Sequence, residues 1–276
     1  MKKVKILGCQ MMVGKHKEDN LKKAEEMISH GVKKYDPDIV ILPEMFNTPY
    51  DNRYFSEFSE TYGGESTSRI QALAKEQKVM IIAGSIPELG EEDKIYNTTY
   101  VFDKEGELLG KHRKIHLFDI DIPGKITFKE SKVLSPGKEI TVLDTEYGKI
   151  GIGICYDLRF PELFQIMEKE GARLIVVPGA FNMTTGPAHW ELLIRSRALD
   201  NQLYMAAVAP ARDYKFSYQS YGNSMIVDPW GRVLEALKEE EGFIYRALDF
   251  DYLKQVRREL PTRKNYRKEL YETIKK

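Results

Sequence analysis

Residues 149–162, KIGIGICYDLRFPE, constrain the fold more than any other stretch of this 276-residue chain. The alternation of isoleucine and glycine predicts a buried strand that runs directly into Cys155. Pro161 and the apolar spacing after it predict the start of a helix. Cys155 is therefore expected at a strand-to-helix elbow, where N–H groups point at whatever the sulfur attacks and the helix dipole lowers the thiol pKa. A cysteine nucleophile also needs a base and an oxyanion-stabilising group from elsewhere in the chain.

The hydrophobic pattern around this elbow predicts two similar α/β halves. Residues 4–11 and 39–42 are predicted strands, and residues 20–35 between them repeat apolar side chains at helical spacing. This is a βαβ unit, which implies parallel strands. Strand and helix patterns recur in outline after residue 141, so we expect one domain of two packed sheets with helices outside.

Three further segments carry specific predictions. Residues 115–137 have little regular periodicity, and a loop of this length in a compact domain is usually functional. Residues 244–248 are predicted to finish the sheet of the second half. The highly charged tail from residue 251 onward is predicted to be helical with a break at Pro261, and to reach over a neighbouring subunit.

Composition limits the classes of partner. Lys plus Arg number 42 and Asp plus Glu number 42, so the net charge is 0 and no global field recruits nucleic acid or an anionic membrane. A small-molecule substrate is the expected partner. Two cysteines, Cys9 and Cys155, cannot make a disulfide framework, and no Cys/His cluster has zinc spacing. We therefore expect a reducing compartment and no structural metal. Because no export signal or membrane-length apolar run is present, we also expect a cytoplasmic protein.

Two acidic residues and one lysine stand at positions where chemistry is expected. Glu44 follows a buried strand directly, and α/β sheets place ligand sites at such strand ends. Lys114 ends a predicted strand, and Glu130 lies in the long irregular segment. Each has a simpler interpretation, since Lys114 alone suggests a solvated basic run and Glu130 suggests surface charge. Cys155 itself could be a buried small hydrophobe, the interpretation that we adopt for Cys9.

Three motifs, in this order along the chain, resemble the Glu-Lys-Cys signature of the nitrilase superfamily of carbon–nitrogen hydrolases. They are PEM at residues 43–45, GKHRKIHL at residues 110–117 and CYDLRFPE at residues 155–162. Further stretches resemble the omega-amidase branch, which hydrolyses the terminal amide of 2-oxo acid monoamides such as 2-oxoglutaramate. These stretches are FDIDIPG at residues 118–124, FKES at residues 128–131 and GAFNMTTGPAHW at residues 179–190. The resemblance covers essentially the whole chain and shows no departure at the triad.

The resemblance implies an α/β fold, the four-layer αββα sandwich of the nitrilase type. It also implies a protein that uses no cofactor and forms at least a homodimer. Residues 1–250 would form the carbon–nitrogen hydrolase domain. Residues 251–276 would be a helical tail of the same unit at the subunit interface.

The chemistry of the matched residues supports a cysteine amidohydrolase. Glu44 would take the proton from Cys155, and the thiolate would attack the amide carbonyl. The Lys114 ammonium and the Tyr156 backbone N–H would hold the oxyanion. Glu44 would then protonate the leaving ammonia and activate the water that cleaves the thioester, while Glu130 orients Lys114.

The far end of such a substrate carries a carboxylate on a short planar body. Arg159 could supply the matching charge, and Tyr50, Phe181 and Thr185 are candidates for the walls and a hydroxyl. The alternative interpretation of Arg159 is a structural pairing with Glu162 or Asp157. Deaminated-glutathione amidase, N-carbamoyl amine hydrolase and nitrilase activities would use the same triad, and a non-catalytic binding member of the fold is the alternative from another class.

Overall fold

The computed structural model describes residues 3–276, and within them fifteen strands and six α-helices alternate along the chain. The strands are β1 (Val4–Gln10), β2 (Ile39–Ile41), β3 (Met80–Ile82), β4 (Ile86–Leu89), β5 (Ile95–Phe102), β6 (Leu108–Arg113), β7 (Asp119–Ile122), β8 (Ile126–Lys129), β9 (Thr141–Thr145), β10 (Gly148–Ile152), β11 (Leu174–Pro178), β12 (Tyr204–Val208), β13 (Met225–Val227), β14 (Val233–Ala236) and β15 (Gly242–Leu248). The helices are α1 (Lys17–Tyr35), α2 (Asn52–Glu57), α3 (Glu65–Gln77), α4 (Pro161–Lys169), α5 (Gly186–Asn201) and α6 (Phe250–Glu259).

The strands form two large sheets and one separate hairpin. Seven strands make the first sheet, in the order β15-β1-β2-β3-β5-β4 with β6 also paired to β5. Six make the second, in the order β14-β13-β12-β11-β10-β9. The centre of each sheet is a parallel trio, β1-β2-β3 in the first and β10-β11-β12 in the second. The βαβ units predicted from the hydrophobic pattern account for both trios.

The side chains of β2 alternate between two buried layers. Ile39 and Ile41 point into the core that the two sheets share. Val40 points the other way and joins a second cluster with Ile28 of α1 and Ile70 of α3. Because both faces of the strand are covered, it is a continuous apolar run rather than an alternating one.

Helices α4 and α5 cover the outer face of the second sheet. Phe164 of α4 and Trp190 and Ile194 of α5 are fully buried in the same cluster as that sheet. The layers are therefore helix, sheet, sheet and helix, and the predicted four-layer αββα sandwich is confirmed. Among residues 3–276, no helix has both the length and the apolar character needed to cross a membrane.

Two sequence predictions about strands were wrong. β15 pairs antiparallel with β1 in the first sheet, so residues 244–248 do not finish the second one. This pairing covers an edge of the parallel trio that would otherwise expose unpaired backbone groups. Residues 115–137 are not irregular throughout, because β7 and β8 form a hairpin within them. The alternation of Asp and Ile from Asp119 to Ile122 was the signal for its first strand.

The tail is helical only at its start. After α6 ends at Glu259, residues 260–276 form turns and irregular segments rather than a second helix. They are held along α4 of the same chain, where the Thr273 hydroxyl donates to Gln165 at 2.7 Å and Lys169 pairs with Glu272 at 3.1 Å. The placement of this tail at a subunit interface stays a prediction.

Candidate active site

Cys155 stands at the turn between β10 and α4, as predicted. It is the first residue of a 3₁₀ helix, Cys155–Arg159, which leads directly into α4. Its φ is 45°, a left-handed conformation that costs energy for any residue with a side chain and is common at functional positions. A Cβ added at Gly179 would lie 3.3 Å from the Cys155 Cα. The segment that follows β11 therefore packs closely against the cysteine turn.

The Glu44 carboxylate is held by groups from three other segments. Glu44 follows β2 and is fully buried. Its Oε2 accepts a hydrogen bond from the Ala180 backbone N–H at 2.7 Å, and its Oε1 accepts from Asn97 Nδ2 at 2.8 Å. Lys114 Nζ donates to the same Oε1 at 3.0 Å. Sequence reasoning missed Asn97, since a polar residue inside a strand gives no signal of its own.

Lys114 lies between two buried carboxylates. Both Lys114 and Glu130 are fully buried, and the Lys114 Nζ is 2.9 Å from Glu130 Oε2. Glu130 opens a 3₁₀ helix after β8, and its Oε2 also accepts from the Phe118 backbone N–H at 2.6 Å. The interpretations of Lys114 and Glu130 as solvated charges are therefore wrong. Lys111, from the same basic motif, does point outward with 39% of its side chain exposed.

Tyr50 reaches this cluster through its hydroxyl. The hydroxyl donates to Glu130 Oε1 at 2.6 Å and lies 3.3 Å from Lys114 Nζ. Tyr50 was predicted only as a possible wall or hydroxyl for the substrate, so its place among the charged groups is new. Its ring stacks on Tyr218 at a centroid distance of 4.6 Å. Tyr218 comes from a loop that the sequence analysis did not single out.

Burial and charge set the protonation of the cluster. Burial alone would lower the pKa of Lys114, but the charges of Glu130 and Glu44 outweigh it and raise the pKa, so this lysine is an ammonium. Burial, followed by the Glu44 carboxylate, raises the pKa of Cys155 well above its usual value, although Lys114 opposes this. Burial also raises the pKa of Glu44, again against the charge of Lys114.

The expectation that the helix dipole lowers the thiol pKa is therefore wrong. Cys155 is only 3% exposed and lies beside the Glu44 carboxylate, and burial followed by that charge raises the thiol pKa. The resting residue is a neutral thiol, within hydrogen-bonding reach of Glu44. Cys9 agrees with its simpler interpretation, because it is fully buried in β1 and burial raises its pKa to about 12.

A narrow cavity opens beside Cys155. Four residues that were predicted to bind substrate line this cavity: Tyr156, Arg159, Phe181 and Thr185. Phe118, Ala180 and Tyr218 complete its walls. Tyr50 lines an adjoining pocket with Glu44 and Tyr218 rather than this one.

The Arg159 guanidinium lies above two aromatic rings at the cavity wall. Its central carbon is 5.1 Å from the ring centre of Phe181 and 5.4 Å from that of Tyr156, and Nη1 donates to His189 Nδ1 at 3.2 Å. The Arg159 Nε is buried and has no hydrogen-bond partner among the described residues. No ion pair joins Arg159 to Asp157 or Glu162 within residues 3–276, so the structural pairing considered for it does not form.

Comparison with known proteins identifies the family. A family model described as carbon-nitrogen hydrolase matches residues 4–258. The chain belongs to the carbon–nitrogen hydrolase family. This hydrolase is 51% identical over 276 residues to Omega-amidase NIT2 from Xenopus tropicalis, covering 100% of this chain and 99% of the relative. It is 49% identical over 275 residues to Omega-amidase NIT2 from Homo sapiens, with 98% of each chain covered.

Solved structures share the architecture of this hydrolase. Saccharomyces cerevisiae Nit3, described as a member of branch 10 of the nitrilase superfamily, superposes with a TM-score of 0.87 at 40% identity, covering 94% of this chain and 95% of Nit3. The predicted membership of the nitrilase superfamily is therefore confirmed. The predicted enzyme class is confirmed as well: a hydrolase that acts on carbon–nitrogen bonds other than peptide bonds.

Proposed function

We propose that this hydrolase is an omega-amidase, which releases ammonia from the terminal amide of short 2-oxo dicarboxylic acid monoamides. The observation that carries the proposal is the Lys114 ammonium, which is fully buried between Glu44 and Glu130 and close enough to Cys155 to oppose the rise of its pKa. A buried cation beside a thiol is suited to an anion that forms during the reaction. Identity of about 50% to proteins named omega-amidase, over the full chain, supports the choice of substrate.

In the acylation half-reaction, Glu44 acts as the base. It accepts the Cys155 thiol proton as the sulfur attacks the amide carbonyl, and negative charge moves to the carbonyl oxygen. The Lys114 ammonium and the Tyr156 backbone N–H stabilise that oxygen. Glu44 then gives the proton to the departing nitrogen, so ammonia leaves and a thioester remains on Cys155.

In the deacylation half-reaction, the Glu44 carboxylate acts as the base for water. Glu44 takes a proton from the water that attacks the thioester carbonyl, and the oxyanion again faces Lys114. Collapse of this intermediate breaks the carbon–sulfur bond, returns the proton to sulfur and releases the 2-oxo dicarboxylic acid. Glu130 supports both steps by holding Lys114, at 2.9 Å, with the Tyr50 hydroxyl as a further donor to Glu130.

Substrate recognition is assigned to the cavity beside Cys155. The substrate carboxylate would bind Arg159, whose buried and unpartnered Nε supports a role for an acceptor supplied from outside the protein. Phe181 and Tyr156 would contact the flat 2-oxo acid body, and the Thr185 hydroxyl would donate to one of its oxygens. Tyr50 would contribute from the side of Glu44.

The proposal includes a homodimer. On the outer side of α5, Leu192 is 64% exposed and Leu199 46% exposed, and Trp230 in the nearby turn is 46% exposed. Apolar side chains in such a group favour a subunit contact over a solvated helix face. The exposed Tyr271 of the tail supports the same placement for residues 251–276. Light scattering on the wild type and on Leu192→Asp tests this, with a monomeric wild type contradicting the dimer.

A cytoplasmic location also belongs to the proposal. The mechanism requires Cys155 as a free thiol, and a reducing compartment maintains that state. Both cysteines are unpaired and buried in the folded chain.

Ammonia release from a panel of amides tests the proposed activity. The panel contains 2-oxoglutaramate, 2-oxosuccinamate, deaminated glutathione, an N-carbamoyl amine and a simple nitrile, each assayed with wild type and with Cys155→Ala. Turnover confined to the two short oxo-acid amides and abolished in Cys155→Ala is the expected result. Turnover of another panel member alone would contradict omega-amidase activity while keeping the mechanism, and an active Cys155→Ala would contradict the mechanism itself.

A further inference from the structure

Asp157 is a buried carboxylate that the proposed reaction does not use. It lies two residues after Cys155 in the 3₁₀ helix and is fully buried. A buried carboxylate is costly unless it accepts several hydrogen bonds, so its partners indicate what it is for. All hydrogen-bond partners of its carboxylate lie within two residues of Cys155 or Lys114 along the chain.

One side of Asp157 holds the cysteine turn. Its Oδ2 accepts from the Ile154 backbone N–H at 2.9 Å, and its own backbone N–H donates to the Ile154 oxygen at 3.0 Å. Cys155, with its left-handed backbone, follows Ile154 directly. Left-handed residues with side chains persist only where neighbouring contacts hold them. Asp157 supplies two such contacts.

The other side of Asp157 holds the lysine segment. Its Oδ1 accepts from the His116 backbone N–H at 3.0 Å and from His116 Nδ1 at 2.7 Å. Its Oδ2 lies 3.3 Å from Nε2 of His112, which is buried at the end of β6. His112 and His116 stand two residues before and two residues after Lys114. The carboxylate therefore brackets Lys114 on both sides along the chain.

These contacts cross between the two sheets. Lys114 follows β6 of the first sheet, whereas Cys155 follows β10 of the second. Burial alone would raise the pKa of Asp157, but hydrogen bonds from His112 and His116 outweigh it and hold the pKa well below its usual range. The carboxylate is thus ionised when it accepts these bonds, and charge-assisted hydrogen bonds are the short, directional kind that fix a geometry.

We propose that Asp157, acting through His112 and His116, is a positioning residue that fixes the Cys155 sulfur relative to the Lys114 ammonium. The assignment rests on the proposed function, since it concerns the same nucleophile and oxyanion donor. Misplacing a reacting group by about 1 Å can cost roughly 100-fold in rate, so loss of this carboxylate should act on turnover more than on substrate affinity.

The first test variant is Asp157→Asn, which keeps the shape but removes the charge and one acceptor. We expect kcat to fall by roughly 10- to 100-fold with KM within about threefold of the wild type. The rate at which iodoacetamide alkylates Cys155, followed on the Cys155 peptide by mass spectrometry, should change as well. Asp228→Asn is the matched control, because Asp228 is equally buried and accepts backbone N–H groups at the β13–β14 turn. It should lower the melting temperature and leave kcat and the alkylation rate unchanged.

A pair of His116 variants keeps the test decisive if Asp157→Asn fails to fold. His116→Asn retains a donor near the position of Nδ1, whereas His116→Phe retains the ring that stacks on Phe160 at 3.6 Å and loses the donor. Positioning predicts that His116→Asn keeps kcat within about threefold of the wild type and that His116→Phe loses roughly tenfold. Equal kcat in both variants and in the wild type would overturn the proposal.

Cys155→Ala, assayed in parallel, separates the two hypotheses. If it is inactive while Asp157→Asn and His116→Phe behave like the wild type in kcat and alkylation, the positioning role alone is wrong. If it is active, the proposed mechanism is wrong and the positioning role falls with it.

Discussion

Lys114→Met is the substitution that most directly tests the proposed site. Methionine has nearly the volume of lysine without its charge, so packing is retained and the ammonium is removed. Loss of one oxyanion donor typically costs about 3–4 kcal/mol, which predicts a fall in kcat of roughly 100- to 1,000-fold. The same loss leaves Glu44 and Glu130 buried without their shared cation, and breaking a buried ion pair typically destabilises a protein by about 3–5 kcal/mol.

The variant should also change the pH dependence of the reaction. In the wild type, burial raises the pKa of Glu44 while the charge of Lys114 lowers it. Removing Lys114 deletes the lowering effect, so the pKa of Glu44 rises and the carboxylate is lost as a base at a higher pH. The acid side of the kcat/KM profile should therefore move to higher pH in Lys114→Met.

The assay is ammonia release from 2-oxoglutaramate across pH 5–9, combined with thermal unfolding to verify that each variant is folded. Lys111→Met is the matched control, because Lys111 belongs to the same motif but has 39% of its side chain exposed and pairs with Glu88. It should keep turnover within about twofold of the wild type. A folded Lys114→Met enzyme with near-normal kcat and an unmoved acid limb would refute the assigned role.

Three other perturbations have expected outcomes. Tyr50→Phe removes the hydroxyl that donates to Glu130 at 2.6 Å, and steady-state kinetics should give a kcat lower by roughly 10-fold, because hydrogen bonds to charged groups contribute about 1.5–3 kcal/mol. Arg159→Met should raise KM for 2-oxoglutaramate by roughly 10- to 100-fold and leave the Cys155 alkylation rate unchanged; equal KM values would contradict carboxylate binding. Burial alone would raise the pKa of Glu88, but hydrogen bonds from Arg113, Lys111 and Thr98 lower it from 4.5 to about 2. The ionised carboxylate therefore contributes about 3 kcal/mol to the free energy of unfolding. This contribution is complete above pH 4.5 and is lost as the pH falls toward 2. Urea unfolding between pH 2 and 6 should accordingly be less pH-dependent in Glu88→Gln than in the wild type.

The positions of Glu44 and Cys155 followed from sequence because they depend on local rules. Each follows a short apolar run, and a run of that kind is a buried strand whose end lies at the edge of the sheet. The parallel trios of both sheets could be predicted for the same reason. The place of β15 in the first sheet could not be predicted from the sequence. Its pairing with β1 joins residues more than 230 positions apart, and no local pattern encodes that partner.

Lys114 and Glu130 show where local rules end. Each has charged neighbours that are exposed, Lys111 and Lys129 among them, so hydropathy alone suggests a solvated segment. Only the motif resemblance singled them out. Asn97, Tyr218 and Asp157 had neither a strand-end position nor a role in the resemblance that would single them out. Asn97 reaches Glu44 from another strand of the same sheet, whereas Tyr218 and Asp157 join the site through contacts between segments of different sheets.

A thiol pKa raised by burial bears directly on the proposed role of Glu44 as the base. In the proposed resting state, Glu44 is a carboxylate beside Lys114 and Cys155 is a neutral thiol. Ionising the thiol with Glu44 still charged would add a negative charge to the same buried volume, which the low dielectric opposes. Moving the proton from sulfur to Glu44 keeps the total constant, and the thiolate then faces Lys114 in place of the carboxylate. The proposed mechanism therefore has Cys155 and Glu44 exchange one proton as a unit, which gives the buried carboxylate beside the cysteine its role.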